Sequence, residues 1–112
     1  MTIEYRVEEG IGIIKIIGDL DAYNVRELTK KFHSYLKETV LFVLDLSELK
    51  FLDSTGLGTI INFVKYLSEM DGMLCVVNPQ PKPRMVFEIT QAYKIIDFYD
   101  DIESAIIALQ NR

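Results

Sequence analysis

The stretch FLDSTGLG, residues 51–58, places one acid, two hydroxyls and two glycines between apolar runs. Residues of these types could form a nucleophile, a phosphate cradle, a phosphorylated segment or a helix cap. A dinucleotide fingerprint would need a glycine at Ile61, and a P-loop would need a lysine followed by Ser or Thr where Thr59-Ile60 stand. A serine hydrolase elbow, G-x-S-x-G, would need a glycine at Leu52. The stretch therefore matches none of these three motifs.

The other residues that could be reactive are one histidine and one cysteine. His33 lies in the middle of a predicted helix, next to core-facing Phe32, where a lone histidine is usually a surface residue. Cys75 lies within an apolar run that predicts a buried strand, and a thiol there packs as a small apolar group. One histidine and one cysteine do not assemble a metal site. We therefore expect no catalytic residues, no metal and no cofactor, and the chain is not predicted to be an enzyme.

The composition is ordinary for a folded domain. Of 112 residues, 49% are hydrophobic and 26% are charged, so we expect one domain over residues 1–112 with a single core. The net charge of −5 argues against direct binding of nucleic acid, which requires a basic patch. No apolar run approaches the roughly 18 residues of a membrane span, and the N-terminus shows no signal pattern. The single cysteine cannot form an internal disulfide, so nothing requires an oxidising compartment. Together these features predict a soluble, cytoplasmic protein without a membrane partner.

Hydrophobic periodicity predicts strands that alternate with helices. The predicted strands cover residues 3–7, 11–18, 40–46, 73–77 and 94–99, and the predicted helices cover 22–37, 55–70, 85–89 and 102–109. The first two strands form a hairpin, and the remaining elements form right-handed βαβ units. The fold class is therefore α/β, with a mixed, mostly parallel sheet and about four helices. The apolar stripe of the last helix is predicted to be core rather than a docking face.

Two polar segments are predicted at one edge of this sheet. An α/β sheet carries its functional loops beyond the carboxyl ends of its strands. GDLDAYN, residues 18–24, and FLDSTGLG both follow such strands. We therefore expect the two segments to lie close together.

Two interpretations of the second segment remain open from spacing alone. In the simpler one, Asp53-Ser54-Thr55 caps the following helix, and Gly56 and Gly58 allow close packing of its first turn against the sheet. In the other, a hydroxyl exposed at the helix N-terminus is phosphorylated. The phosphate would add about −1.5 to −2 charges to a loop that is already acidic. Such a change would reverse the electrostatics of a docking face without unfolding the domain.

Both segments resemble a known family. LDLSELKFLDSTGLGTII, residues 44–61, is similar to the signature of the STAS-domain anti-sigma-factor antagonists. In that family an aspartate, a phosphorylatable serine and a Ser, Thr or Ala lead into Gly-Leu-Gly at the start of the second helix. IIGDLDAYNVREL, residues 16–28, resembles the family's other landmark, between the second strand and the first helix. Family members often carry Gly-Leu before the last strand, whereas TQAYKII here has no glycine.

The resemblance implies a role for each matching residue. Ser54 matches the phosphorylated serine, and Asp21 matches an acidic residue that takes part in partner recognition. Gly56 and Gly58 match the glycines that shape the helix start, and Thr55 occupies the neighbouring position, which sometimes carries a hydroxyl. The predicted partner-binding residues are Asp19, Asp21, Asn24, Asp53, Ser54, Thr55, Gly56 and Gly58.

The resemblance also implies a switch with two partners. The unphosphorylated protein would bind an anti-sigma factor, a serine kinase of the histidine-kinase-like ATPase fold, and so release a sigma factor. That kinase would phosphorylate Ser54, and a PP2C-type phosphatase would remove the phosphate. STAS domains also occur in anion transporters, stressosome scaffolds and lipid-transport complexes. A STAS module that regulates a target other than a sigma factor is therefore the alternative, and a small nucleotide-binding protein is a more remote one.

Overall fold

The chain begins with a β-hairpin and then alternates between strands and helices. The computed structural model describes all 112 residues. The strands are β1 (Thr2–Glu8), β2 (Ile11–Leu20), β3 (Leu41–Asp45), β4 (Leu49–Leu52), β5 (Met73–Val77) and β6 (Asp97–Tyr99). The helices are α1 (Val25–Tyr35), α2 (Ser54–Ser68), α3 (Pro81–Ile89) and α4 (Ile102–Gln110), with a 3₁₀ turn at Ala92–Lys94 before β6. The predicted α/β class is confirmed, with one strand more than predicted.

The ten-residue strand β2 connects the parts of the sheet. It pairs antiparallel with β1 and parallel with β3, and the strand order is β1-β2-β3-β5-β6. Beyond Gly18, which has a φ of +100°, the register shifts and β2 continues as a parallel partner of β4. This bulge carries β2 past the predicted end of the strand, as far as Leu20. All pairs except the N-terminal hairpin are parallel, as predicted.

The sheet is covered on both faces by apolar side chains of the helices. One core cluster contains the large buried apolar side chains of α1, α2 and α3, and the rings of Phe32 and Phe63 stack there with centroids 4.0 Å apart. The other cluster joins β3 and β5 to Ala105, Ile106 and Leu109 of α4. The prediction that the stripe of the last helix is core is therefore confirmed.

Strand β4, which immediately precedes the candidate site, was not predicted. Leu49 and Leu52 are buried, whereas Lys50 and Phe51 between them are exposed. This pattern neither alternates nor forms a continuous apolar run, so periodicity does not reveal a strand. The strand exists because the end of β2 offers backbone groups that pair with it, which is a tertiary contact.

The predicted start of the third helix is wrong. The sequence predicts that this helix begins at Met85, but α3 begins at Pro81. The backbone N–H groups of the first turn have no partner within a helix, so Pro81 and Pro83 remove no helical hydrogen bond there. The last predicted strand is also shorter, because Gln91 turns the chain with a φ of 61° into the 3₁₀ turn before β6. Gln91 thus adopts the left-handed conformation that glycine favours.

Candidate functional site

Asp53 caps α2 and joins the two polar segments. Its backbone is extended, and its Oδ1 accepts a hydrogen bond of 2.7 Å from the Gly56 N–H. Its Oδ2 accepts a second bond of 3.0 Å from the Ala22 N–H, in the other segment. The Asp53 N–H donates in turn to the Leu20 carbonyl at 3.3 Å. The N-cap interpretation is right for Asp53, and the expectation that the two segments lie together is confirmed.

Ser54 is the first residue of α2, and both Ser54 and Thr55 are exposed. Because Asp53 supplies the oxygen that caps the helix, the Ser54 hydroxyl is not needed for capping. The hydroxyl lies at the positive end of the helix dipole, where an anion is favourable. Thr55 contributes its carbonyl, which accepts a bond of 3.0 Å from the Thr59 hydroxyl. The Ser54 hydroxyl is therefore accessible, and the start of α2 does not depend on it.

The two glycines of the segment have different surroundings. Gly56 is buried, and a Cβ atom built there would lie 2.6 Å from the Leu20 carbonyl oxygen and 2.8 Å from Leu52 Cδ1. A Cβ atom built at Gly58 meets nothing within 4 Å. The predicted close packing of α2 against the sheet is therefore right for Gly56 and wrong for Gly58, because the helix turns Gly58 away from the strands.

Residues 19–24, which we call the Asp21 loop, are held by their own hydrogen bonds. The Asp21 N–H donates to Asn24 Oδ1 at 3.0 Å, and Asn24 Nδ2 donates to the Asp19 carbonyl at 2.8 Å. The Tyr23 N–H donates to Asp21 Oδ1 at 3.0 Å. With the bond from Ala22 to Asp53, these contacts fix the loop on the first turn of α2. We call the Asp21 loop together with residues 53–58 the docking surface.

The docking surface is acidic and carries no ion pair. Asp19 is exposed, and Asp21 and Asp53 are partly exposed. The two ion pairs of the structure, Arg6 with Glu8 and Lys15 with Glu48, involve none of these carboxylates. The docking surface therefore carries three carboxylates without a paired cation, and one of them, Asp53, immediately precedes Ser54.

Residues that sequence reasoning set aside lie away from the docking surface. His33 is exposed on α1, and Cys75 is buried in β5, both as predicted. Burial raises the pKa of the Cys75 thiol to about 12, which leaves it protonated and unreactive. No group of three or more His, Cys, Asp and Glu residues could hold a metal ion, and no helix is long and apolar enough to cross a bilayer. The four surface clefts, of about 150 to 460 Å³, include no residue of the docking surface.

Tyr23 is a residue of this surface that sequence reasoning missed. Its side chain is 97% exposed, more than any other large hydrophobic side chain. The available signal was an aromatic residue inside a short turn of polar and small residues, outside the apolar periodicity of either flanking element. Because such a residue does not belong to the core, its position in the turn indicates a role at the surface.

Comparison with known proteins assigns the chain and its fold to one family. A family model described as the STAS domain matches residues 2–105. The chain belongs to the STAS-domain family. An anti-sigma F factor antagonist of Paenibacillus polymyxa is 25% identical to this STAS protein over 112 residues, 98% of this chain and 96% of the relative. An anti-sigma-B factor antagonist of Listeria monocytogenes is 31% identical over 85 residues, 75% of each chain.

Solved structures match the STAS fold over its whole length. The anti-sigma factor antagonist SpoIIAA in its unphosphorylated form has a TM-score of 0.83 at 21% identity, covering 99% of this chain and 98% of SpoIIAA. The phosphorylated form of the Bacillus cell fate determinant SpoIIAA has a TM-score of 0.74 at 22% identity, covering 99% of this chain and 100% of SpoIIAA. At these identities the likeness establishes the fold, which is the predicted STAS fold.

Proposed function

We propose that this STAS protein is an anti-sigma factor antagonist whose binding is switched by phosphorylation of Ser54. The observation that carries the proposal is the exposed Ser54 hydroxyl, which α2 does not use as its cap. The relatives named as antagonists of anti-sigma F and anti-sigma-B factors support it. SpoIIAA, which has the same fold, exists in phosphorylated and unphosphorylated forms.

The proposed partner is an anti-sigma factor that binds the docking surface when Ser54 is unphosphorylated. This partner is a serine kinase of the histidine-kinase-like ATPase fold, and its capture releases a sigma factor in the cytoplasm. The kinase phosphorylates Ser54, and a PP2C-type phosphatase removes the phosphate. The proposed partner-binding residues remain Asp19, Asp21, Asn24, Asp53, Ser54, Thr55, Gly56 and Gly58.

The switch follows from the charges of the docking surface. A phosphate on Ser54 would add about −1.5 to −2 charges next to carboxylates that have no paired cation. When the partner excludes water from this surface, each added charge must be desolvated or must face like charges, which costs several kcal/mol. The helix itself tolerates the phosphate, because an anion at its N-terminus is favourable by about 0.3 to 1 kcal/mol. Phosphorylation therefore weakens binding and leaves the fold intact.

The geometry favours a binding protein over an enzyme. A nucleotide cradle at Gly56 would need a free backbone N–H, but the Gly56 N–H already donates to Asp53 at 2.7 Å. The space at Gly56 is also filled by Leu20 and Leu52. His33, the only histidine, lies on α1 outside the docking surface and is not part of a nucleophile pair with Ser54. We propose that the isolated domain acts by binding and has no catalytic activity of its own.

The experiment combines phosphorylation with a binding titration. The protein is incubated with the purified anti-sigma factor kinase and ATP, and fragment spectra locate the phosphate. Phosphate is expected on Ser54, and Ser54→Ala should abolish its uptake, whereas the matched control Thr55→Ala should not. Ser54→Asp should weaken binding to the kinase at least about tenfold by calorimetry, with a melting temperature that holds or rises slightly. True phosphoserine should have the larger effect, because Asp carries one charge.

The proposal fails if genuine phosphorylation leaves the affinity unchanged, or if the phosphate is found on Thr55. Calorimetry with ATP and GTP on the isolated domain tests the rival function. Tight, stoichiometric nucleotide binding without the partner would favour a nucleotide-binding protein instead.

A further inference from the structure

We propose that Tyr23 is the apolar anchor of the docking surface and inserts into a pocket of the anti-sigma factor that is rimmed by basic side chains. This inference rests on the proposed function and adds a residue that determines partner affinity. The anchor lies outside the Asp-Ser-Thr-Gly segment, on the opposite side of the hydrogen bond that Asp53 makes to Ala22.

The first observation is the exposure of the Tyr23 ring. Its side chain is 97% accessible, compared with 74% for Ile89 and 58% for Ile107, the next most exposed large hydrophobic residues. A tyrosine can bury about 150 to 250 Å² of surface, and its hydroxyl can retain a hydrogen bond at the edge of a pocket. Almost all of this area is available to a partner, because the chain itself covers almost none of it.

The second observation is the rigidity of the loop that carries the ring. The backbone N–H groups of Asp21, Ala22 and Tyr23 all donate to side-chain oxygens, at 3.0 Å each. A partner therefore has to order only the two side-chain torsions of Tyr23, which is a small entropic cost for a large contact. Aromatic residues that project from a fixed base into a partner pocket are the usual binding hot spots.

The charges around Tyr23 determine the kind of partner. Asp19 and Asp21 both precede Tyr23 in the loop. Asp53 is joined to the loop by the hydrogen bond that it accepts from the Ala22 N–H. Arg26 and Glu27, at the start of α1, offset each other. A second copy of this chain that used the same surface would bring these carboxylates together, and a nucleic acid would add phosphates to them. A protein pocket rimmed by Lys or Arg matches both the ring and its acidic surroundings.

The link to Ser54 explains how the anchor would be released. Ala22 precedes Tyr23, and its N–H is held by the same carboxylate that caps the helix of Ser54. The ring and the phosphorylated hydroxyl therefore belong to one rigid surface. The phosphate must lose its hydration when the partner covers this surface, and that cost exceeds its attraction to the basic rim of the pocket. A phosphate on Ser54 that separates the partner from α2 in this way also withdraws the ring from its pocket.

The test is a calorimetric titration of the full chain with the purified anti-sigma factor kinase. Tyr23→Ala should weaken binding about tenfold or more, whereas Tyr23→Phe should stay within about threefold of the wild type. The matched control is Tyr93→Ala, which truncates a tyrosine that is 51% exposed in the 3₁₀ turn outside the docking surface, and it should bind like the wild type. Because Tyr23 is almost fully exposed, Tyr23→Ala should keep the melting temperature of the wild type. Raising the salt concentration should weaken wild-type binding.

Each outcome distinguishes the inference from the proposed function. If the wild type binds and Tyr23→Ala binds equally well, the inference is wrong and the proposed function stands. If Tyr23→Phe is as weak as Tyr23→Ala, the contribution comes from the hydroxyl and the apolar anchor is refuted. Binding that does not respond to salt would refute the basic rim. A wild-type protein that does not bind the kinase would refute the proposed function, and the inference with it.

Discussion

Gly56→Ala and Gly58→Ala add the same methyl group to two positions of α2 that have different surroundings. At position 56 the new carbon would lie 2.6 Å from the Leu20 carbonyl oxygen and 2.8 Å from Leu52 Cδ1. The carbonyl belongs to β2 and cannot yield without moving the strand, and overpacking of this kind costs about 1 to 3 kcal/mol. Alanine recovers about 0.5 to 1 kcal/mol of helix propensity. The expected net effect is a loss of up to about 2.5 kcal/mol.

At position 58 only the favourable contribution remains. No atom lies within 4 Å of the added carbon, so Gly58→Ala should stabilise the protein by about 0.5 to 1 kcal/mol. Because the gain in helix propensity is common to both variants, their free energies of unfolding should differ by the overpacking cost of about 1 to 3 kcal/mol. Urea unfolding followed by circular dichroism measures this as midpoints that lie about 1 to 2 M apart on opposite sides of the wild type. Equal stability of the two variants, or a stabilised Gly56→Ala, would refute the close approach of α2 to the end of β2.

Three further predictions concern single side chains. Asp53→Ala should lower the free energy of unfolding by about 1 to 2 kcal/mol, because it removes the helix cap and the hydrogen bond to Ala22. Ser54→Ala should change the free energy of unfolding by less than about 0.5 kcal/mol. A comparable loss in both variants would contradict the assignment of Asp53 as the cap. The backbone N–H of Ser104 holds the pKa of Asp101 below its ordinary value. The stability that Asp101 contributes is thus present above the unfolded-state pKa of about 4 and is lost as the pH falls through the lower folded-state pKa, so unfolding of wild type and Asp101→Ala should converge in acid but not at neutral pH. Because burial raises the pKa of Cys75 to about 12, iodoacetamide should label the native thiol slowly and the urea-unfolded thiol rapidly, and fast native labelling would contradict its position in the core.

The parts of the fold that sequence could predict are those with a strong local period. The apolar stripes of α2 and α4 and the buried strands β3 and β5 have continuous or helical patterns, and the structure confirms them. Strand β4 has no such pattern, because Lys50 and Phe51 are both exposed and its existence depends on pairing with β2. The sequence places the start of α3 too late, at Met85, because prolines interrupt the preceding segment, although proline is compatible with the first turn of a helix.

The candidate site was predictable in position but not in its internal roles. Topology alone placed the two polar segments at one edge of the sheet. Asp53 caps the helix, whereas the Ser54 hydroxyl does not. Which of the two residues provides the cap depends on side-chain geometry within a single turn. Position in the motif likewise says nothing about which glycine approaches the strand. Tyr23 was missed because periodicity recognises core residues, whereas an exposed aromatic side chain on a turn has no period.

The Asp21 loop includes the last two residues of β2, and β2 is the strand that pairs with β1, β3 and β4. Loops that bind partners usually open locally, at a small fraction of the free energy needed to unfold the whole domain. This loop is tied at one end to the most extensively paired strand and through Asp53 to the first turn of α2. Those of its amide protons that donate to side chains should therefore exchange with solvent more slowly than the amide protons of an untied surface loop. A change anywhere in the core that unfolds a given fraction of the molecules would remove the same fraction of binding-competent protein, without touching the docking surface.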